Sequence, residues 1–222
     1  MIRNKETSQI VSRQRVTDHA EVYTAKREVN AMLNLVRHEC ERVDSRFLEP
    51  ACGTGNFLVE ILSEKLKIIA QKYAKSQLEF ERNSILAISS IYGIDLLLDN
   101  VIACRERLLN VFKDDYLKLY KKRVKVECVN SASYILSKNI SHGDALTLMT
   151  AGNEAPHTPI TFTEWSFVSG SMLKRRDFIF EHLVEITNHN KPSLFSDLDE
   201  KVYIPEPVKD YPLIHFLEVA NG

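Results

Sequence analysis

The sequence predicts an α/β domain built on a mostly parallel sheet with helices on both faces, and three observations carry that expectation. Short apolar strand signals alternate with longer helical stripes from Arg46 onward, in the order strand, helix, strand, helix. The first strand signal runs through a small-residue turn, Ala51 to Asn56, straight into a helix. The composition is globular: 44% of the 222 residues are hydrophobic and 27% charged, too little bias for a collagen-like, disordered or membrane protein. That length suits one domain with appendages.

Residues 1–16 are polar, mixed in charge and without a sustained period, so they read as an N-terminal arm. The main domain is placed at residues 17–189. Within it Val29, Met32, Leu33 and Val36 fall at i, i+3, i+4 and i+7, one stripe of an amphipathic helix that Thr24 would cap and that ends near Arg42. Arg46 to Pro50 is a short strand. Leu58, Ile61, Leu62, Leu66 and Ile69 form the stripe of the helix after the glycine turn. The polar residues 70–83 are either the end of that helix plus a connection or a second short helix. Ser90 to Asp95 reads as a buried strand, and Val101, Cys104, Leu108 and Phe112 as the stripe of the helix behind it. Val124 to Val129 and Ile160 to Phe162 supply further strands, and a helix covers about Phe178 to Ile186. Short connections between such units favour right-handed crossovers and hence the parallel sheet. Residues 190–222 hold Pro192, Pro205, Pro207 and Pro212, with 3 basic and 6 acidic residues from Lys191 on. That is the pattern of an extended acidic tail lying along the surface.

Lys plus Arg number 29 and Asp plus Glu 30, a net charge of −1, which excludes a strongly basic field over the whole molecule. Local basic clusters remain at Lys113 to Lys125 and at Lys174-Arg175-Arg176, and these are the two candidate phosphate contacts. Cys40, Cys52, Cys104 and Cys128 form no C-x-x-C pair and have no His at zinc spacing, so they read as reduced thiols without a metal. His19, His142 and His182 are scattered and read as surface or core residues. The first ten residues lack the apolar region of a signal peptide. The longest apolar stretch, Ser84 to Leu98, is broken by Ser89, Ser90, Gly93 and Asp95. No membrane partner and a cytoplasmic location are expected.

Glu49 to Phe57 carries the chemistry. Between a strand and a helix, glycines let the backbone approach a ligand that a Cβ would exclude. A dinucleotide site would need a third glycine where Leu58 stands, and a P-loop would need Gly-Lys-Ser/Thr, which is absent. S-adenosylmethionine brings no pyrophosphate, and it fits better. Glu49 is placed to accept a hydrogen bond from the ammonium of its methionine portion, and Gly53 to Gly55 to pass beneath the nucleoside. Asp95, ending the next strand, is placed to accept both ribose hydroxyls.

Glu49-Pro50-Ala51-Cys52-Gly53-Thr54-Gly55-Asn56-Phe57 resembles motif I of the adenine-N6 DNA methyltransferases of bacterial restriction-modification systems. Val22 to Val29 resembles that family's motif X, an aromatic-Thr-Pro before a helix, with Ala25 in place of the usual Pro. Tyr92-Gly93-Ile94-Asp95 resembles motif II and Ile140 to Leu146 motif III, whose acid, here Asp144, recognises the cofactor's adenine amino group. The resemblance runs from about Val16 to Leu146. It implies a Rossmann-like methyltransferase fold with S-adenosyl-L-methionine along the carboxyl edge of the sheet. By motif, the residues implied at the cofactor are Tyr23 and Thr24, then Glu49, Pro50, Ala51, Gly53, Gly55, Asn56 and Phe57, then Asp95 with Leu96, and Asp144 with Ala145.

The same family works through a motif IV loop, Asp/Asn/Ser-Pro-Pro-Tyr/Phe, and no such tetrapeptide occurs in these 222 residues. Methyl transfer is an in-line displacement, so the target nitrogen must be positioned by acceptors on its N–H groups while an aromatic ring stacks the flipped base. In that place stands Pro159 to Phe167, where Glu164 is the candidate acceptor and Trp165 the candidate stacking ring. Fewer than eighty residues follow Asp144, so a separate target-recognition domain is not expected here. Two readings follow: an adenine-N6 DNA methyltransferase, or a catalytically silent cofactor-binding subunit that needs a partner protein chain for catalysis and DNA recognition.

Overall fold

The computed structural model describes residues 26–152, 157–189 and 205–221. The chain enters through α1 (Lys26–Leu35) and α2 (Arg37–Cys40). It continues as β1 (Phe47–Glu49), α3 (Asn56–Tyr73), α4 (Gln77–Ser89), β2 (Ile91–Asp95), α5 (Leu98–Tyr120), α6 (Val126–Asn139) and β3 (Ile140–Asp144). The stripes of α3 and α5 named above are buried along their whole length, as a 3.6-residue period against a core dictates. Of the two readings of residues 70–83, the structure takes the second helix. Ser76 caps α4 by accepting from the Glu79 amide at 3.4 Å, and Phe80, Ile85 and Ile88 enter the core.

β1, β2 and β3 are parallel neighbours, with Phe47 opposite Ile91, Gly93 opposite Ile140 and Asp95 opposite His142. The two-residue β4 (Met149–Thr150) runs antiparallel to β3 at the far edge. This mostly parallel, helix-covered sheet is Rossmann-like. Because side chains alternate across a strand, Ile91 and Ile140 join the core under α3 to α6. Tyr92 and Ile94 face the other way, onto Ile160, Phe162 and Phe180. A buried lysine secures the start of β1. Lys65 Nζ donates to the carbonyls of Val43 (3.0 Å) and Ser45 (2.5 Å) and to Ser90 Oγ (2.7 Å), and burial pushes its pKa down to about 8.

Three expectations are corrected. Val124 to Val129 is not a strand: the six-residue alternation is the opening of a longer helical stripe. Cys128, Ala132, Ile135 and Leu136 of α6 are buried, and Val126 is 62% exposed. Ile160 to Phe162 does not join the parallel sheet. It opens β5 (Thr161–Ser169), which turns at Gly170 (φ +53°) and pairs antiparallel with β6 (Met172–Ile179). A parallel partner needs a crossover of roughly a dozen residues, and this turn supplies none. The tail is also more than a surface segment. Its β7 (Lys209–Asp210) and β8 (Ile214–His215) pair with β6, and Phe216 and Val219 are buried in the main core. α7 (Phe180–His189) starts two residues later than expected because Phe178 belongs to β6. Residues 190–204 and the arm 1–16 lie outside the described residues.

Trp165 locks the second sheet to the first. It is 4% exposed, its Nε1 donates to Asn139 Oδ1 at 3.0 Å, and the Arg175 guanidinium lies 5.6 Å from its ring. Trp165→Ala is expected to lower the free energy of unfolding by about 3–5 kcal/mol through the cavity it leaves, read from urea denaturation.

Candidate functional site

The carboxyl ends of β1, β2 and β3 lie side by side, and each ends on an acid. Glu49 stands opposite Gly93, so Asp95 projects two residues beyond it. Asp95 stands opposite His142, so Asp144 projects two residues further. Each step is about 6.6 Å of strand. Partners in register share a face, so all three acids leave the sheet on the side of Ile91 and Ile140, toward the start of α3 and α5.

The turn before α3 is folded against this edge. The Cys52 amide donates to Ile94 O (2.9 Å), the Gly55 amide to Cys52 O (2.7 Å) and the Gly53 amide to Asp95 Oδ2 (2.8 Å). Gly53 and Gly55 have φ of +51° and +79°, and a Cβ on Gly55 would stand 2.6 Å from Cys104 Sγ. Gly55 therefore requires glycine, and the left-handed backbone at Gly53 favours it. The other oxygen of Asp95 accepts from the Leu97 amide (2.9 Å) and Asn100 Nδ2 (3.2 Å), so this carboxylate ties the turn to the start of α5. Asp144 Oδ1 accepts from the Leu146 amide (2.8 Å), and His142 Nε2 meets Leu96 O at 3.0 Å.

Glu49 differs from its neighbours. Its Oε2 is buried without a hydrogen-bond partner, and burial, helped by the Asp95 charge, raises its carboxyl to about 7. A buried acceptor left unpaired calls for an explanation, and an incoming cationic donor supplies one.

The structure brings most of the expected residues together here. Pro50 and Ala51 are exposed on the turn, Asn56 and Phe57 are half-buried at the start of α3, Leu96 is 51% exposed beyond β2, and Ala145 follows β3 half-buried. Tyr23 and Thr24 lie outside the described residues. Glu164 and Trp165 do not converge on this edge. Glu164 is ion-paired with Arg46 (2.5 Å) and Arg176 (2.6 Å), and Arg46 precedes β1. Trp165 is bonded to Asn139, which precedes β3. Both therefore sit at the amino end of the sheet, opposite the acids, and neither reaches a group held at the carboxyl end.

The basic clusters are likewise remote or engaged. α5 starts beside Asp95 and carries Lys113 and Lys118 away from it, by roughly 20–30 Å at the helical rise, and Lys121 and Lys122 follow its far end. Lys125 pairs with the buried Glu81 at 2.8 Å. Lys174 binds Tyr211 O and Asp210, Arg175 forms two bonds to Asp177, and Arg176 holds Glu164. Among the described residues no group of acids, His and Cys could hold a metal, and no helix is long and apolar enough to cross a membrane. The four cysteines are free and buried.

Sequence reasoning missed Asn100, His142 and Arg107, whose Nη1 donates to Thr54 O (2.6 Å), Thr54 Oγ1 (2.9 Å) and Asn56 Oδ1 (2.8 Å). The signal was present: Asn100 and Arg107 sit four before and three after Cys104, on the face of α5 already identified as inward.

Among known protein families, the chain matches the one described as UPF0020: RMKL-like, methyltransferase domain, over residues 29–150. Neither curated proteins nor solved structures gave a match. The matched stretch runs from α1 through β4 and contains Glu49, Asp95 and Asp144, whereas Glu164 and Trp165 fall beyond it. A methyltransferase domain of this kind uses S-adenosyl-L-methionine, which supplies an activated methyl group on sulfur. The edge fits that molecule: an unpaired buried carboxylate oxygen for an ammonium, a glycine turn packed tightly onto Cys104 of α5, and two further acids along the strand ends. With more than half of its length in the match, the chain belongs to the UPF0020 family of RMKL-like methyltransferase domains.

Proposed function

We propose that this chain is the cofactor-binding part of an adenine-N6 DNA methyltransferase related to restriction-modification systems, and that a partner polypeptide supplies the base-holding loop and target recognition. In this reading Glu49 accepts the ammonium of S-adenosylmethionine, Asp95 the ribose hydroxyls, and Asp144 the adenine amino group. The observation that carries it is the one-sided edge. Three acids suited to the cofactor line the carboxyl end, while Glu164 and Trp165, the residues best suited to hold a target base, are engaged at the opposite end. An adenine N6 is conjugated into its ring and a poor nucleophile, so a site without acceptors for its N–H groups positions it badly.

The outer edge of β1 suits a completing strand. The Phe47 amide donates to Ser90 O, so by alternation the Leu48 amide points away from β2, and among the described residues no strand pairs there. An apolar cavity of about 430 Å³ opens alongside, lined by Leu48, Tyr92, Phe162, Phe178 and Phe180 among others. The test is transfer of labelled methyl groups to unmethylated double-stranded DNA and, in parallel, to RNA, with and without co-purifying host proteins. The expected result is weak or no transfer by the chain alone and transfer to adenine N6 of DNA with its partner. Transfer to RNA instead would overturn the DNA assignment. Robust DNA methylation by the chain alone would overturn the need for a partner.

A further inference from the structure

Helix α5 touches the cofactor edge three times along one face. Asn100 holds Asp95, Cys104 lies under Gly55, and Arg107 reaches Thr54 and Asn56, the residues on either side of Gly55. The spacing i, i+4, i+7 places these three side chains in a row. We infer that Arg107 is a positioning residue for the cofactor site: it clamps the glycine turn from both sides and holds it in the shape that accepts the ligand.

The turn needs such a clamp. Two of its residues are glycines at positive φ, the least constrained positions in a chain, and Gly55, at the N-cap of α3, offers no side chain to the helix's first amides. A loop left free to move must be ordered when ligand binds, and that ordering is subtracted from affinity. Arg107 Nη1 shares its two N–H groups among a backbone carbonyl, a hydroxyl and an amide oxygen, so it fixes backbone and side chains together. Its side-chain hydrogen bonds all go to Thr54 and Asn56. The packing of α3 on α5 is carried instead by Leu58, Ile61, Leu62, Cys104, Leu108 and their neighbours, so loss of the guanidinium leaves the helices in place. Lysine offers a single ammonium without the planar fork and cannot reproduce the geometry in full.

The experiment uses the full chain as wild type, Arg107→Ala and Arg107→Lys. Amide hydrogen exchange is followed without ligand, and S-adenosylmethionine binding by titration calorimetry. In Arg107→Ala, exchange at Gly53 to Asn56 is expected to accelerate about tenfold while the interiors of α3 and α5 keep wild-type protection. The dissociation constant is expected to rise by about tenfold or more, with Arg107→Lys intermediate in both readouts. Unchanged affinity in Arg107→Ala would overturn the inference. So would faster exchange spread evenly over both helices, the mark of a packing role alone, or weakened binding with an unchanged turn, which would make Arg107 a direct ligand contact. Because exchange is read without ligand, a wild-type protein that failed to bind S-adenosylmethionine would refute the cofactor assignment and still leave the turn measurement to decide the role of Arg107.

Discussion

Gly55→Val is expected to abolish S-adenosylmethionine binding and to destabilise the fold by about 3 kcal/mol or more. Two independent effects add. The left-handed backbone at φ +79° disfavours any residue with a Cβ, and a β-branched one most of all. The new Cβ would also meet Cys104 Sγ at 2.6 Å, and Cys104 is fully buried with nowhere to retreat. Separating the two is straightforward. Cys104→Ala should recover part of the stability lost in Gly55→Ala, because it removes the colliding sulfur, but it should leave the backbone term untouched. Thermal denaturation reads the stability and calorimetric titration the binding. A Gly55→Val protein with wild-type affinity would show that the turn is not part of the cofactor site.

The second large effect is a pH dependence set by Glu49. Its carboxyl, raised from 4.5 to about 7 by burial and by the Asp95 charge, keeps its proton in the folded ligand-free protein after the unfolded chain has lost it. Unfolding therefore releases a proton between about pH 4.5 and 7, and stability falls as pH rises through that window and levels off above it. Allowing for partial solvent access, the accumulated penalty is about 2 kcal/mol. Glu49→Gln should thus match wild type near pH 4 and exceed it by about that amount at pH 8, as denaturant melts would show. Binding runs the other way. An ammonium favours the ionised carboxylate, so affinity should rise with pH up to about 7, by as much as about tenfold per unit, and then flatten. Glu49→Gln should bind more weakly at pH 8, by about 1–3 kcal/mol, and lose the pH dependence. A wild-type affinity constant across this window would remove Glu49 from the ammonium site.

Local patterns proved sufficient for the strand–turn–helix and strand–helix units that carry Glu49 and Asp95. The stripes of α3 and α5 repeat over several turns, and the acids Glu49 and Asp95 end apolar runs, so each feature was encoded within a few neighbouring residues. What escaped was set by distant partners. Arg107 reaches back 53 residues to Thr54: its inward place on α5 is legible from its spacing to Cys104, but the residue it meets is not. The apolar run at Ile160 to Phe162 did mark a strand, but not its partner, and without the pairing of β5 to β6 its end of the molecule could not be known. That is why Glu164 and Trp165 were placed beside the cofactor when Arg46, Arg176 and Asn139 hold them at the opposite end. Val124 to Val129 failed for a smaller reason: six residues are too few to separate a period of 2 from the first turn and a half of a helix.

In the function proposed above, the carboxyl edge of β1, β2 and β3 is a complete cofactor site within this chain. Titration calorimetry of the purified protein with S-adenosylmethionine at about pH 8, where Glu49 is ionised, tests it most directly. The account predicts one site per chain, weakened in Glu49→Gln and absent in Gly55→Val. A folded wild-type protein that gives no binding heat, or binds equally well with Gly55 replaced by valine, would contradict it.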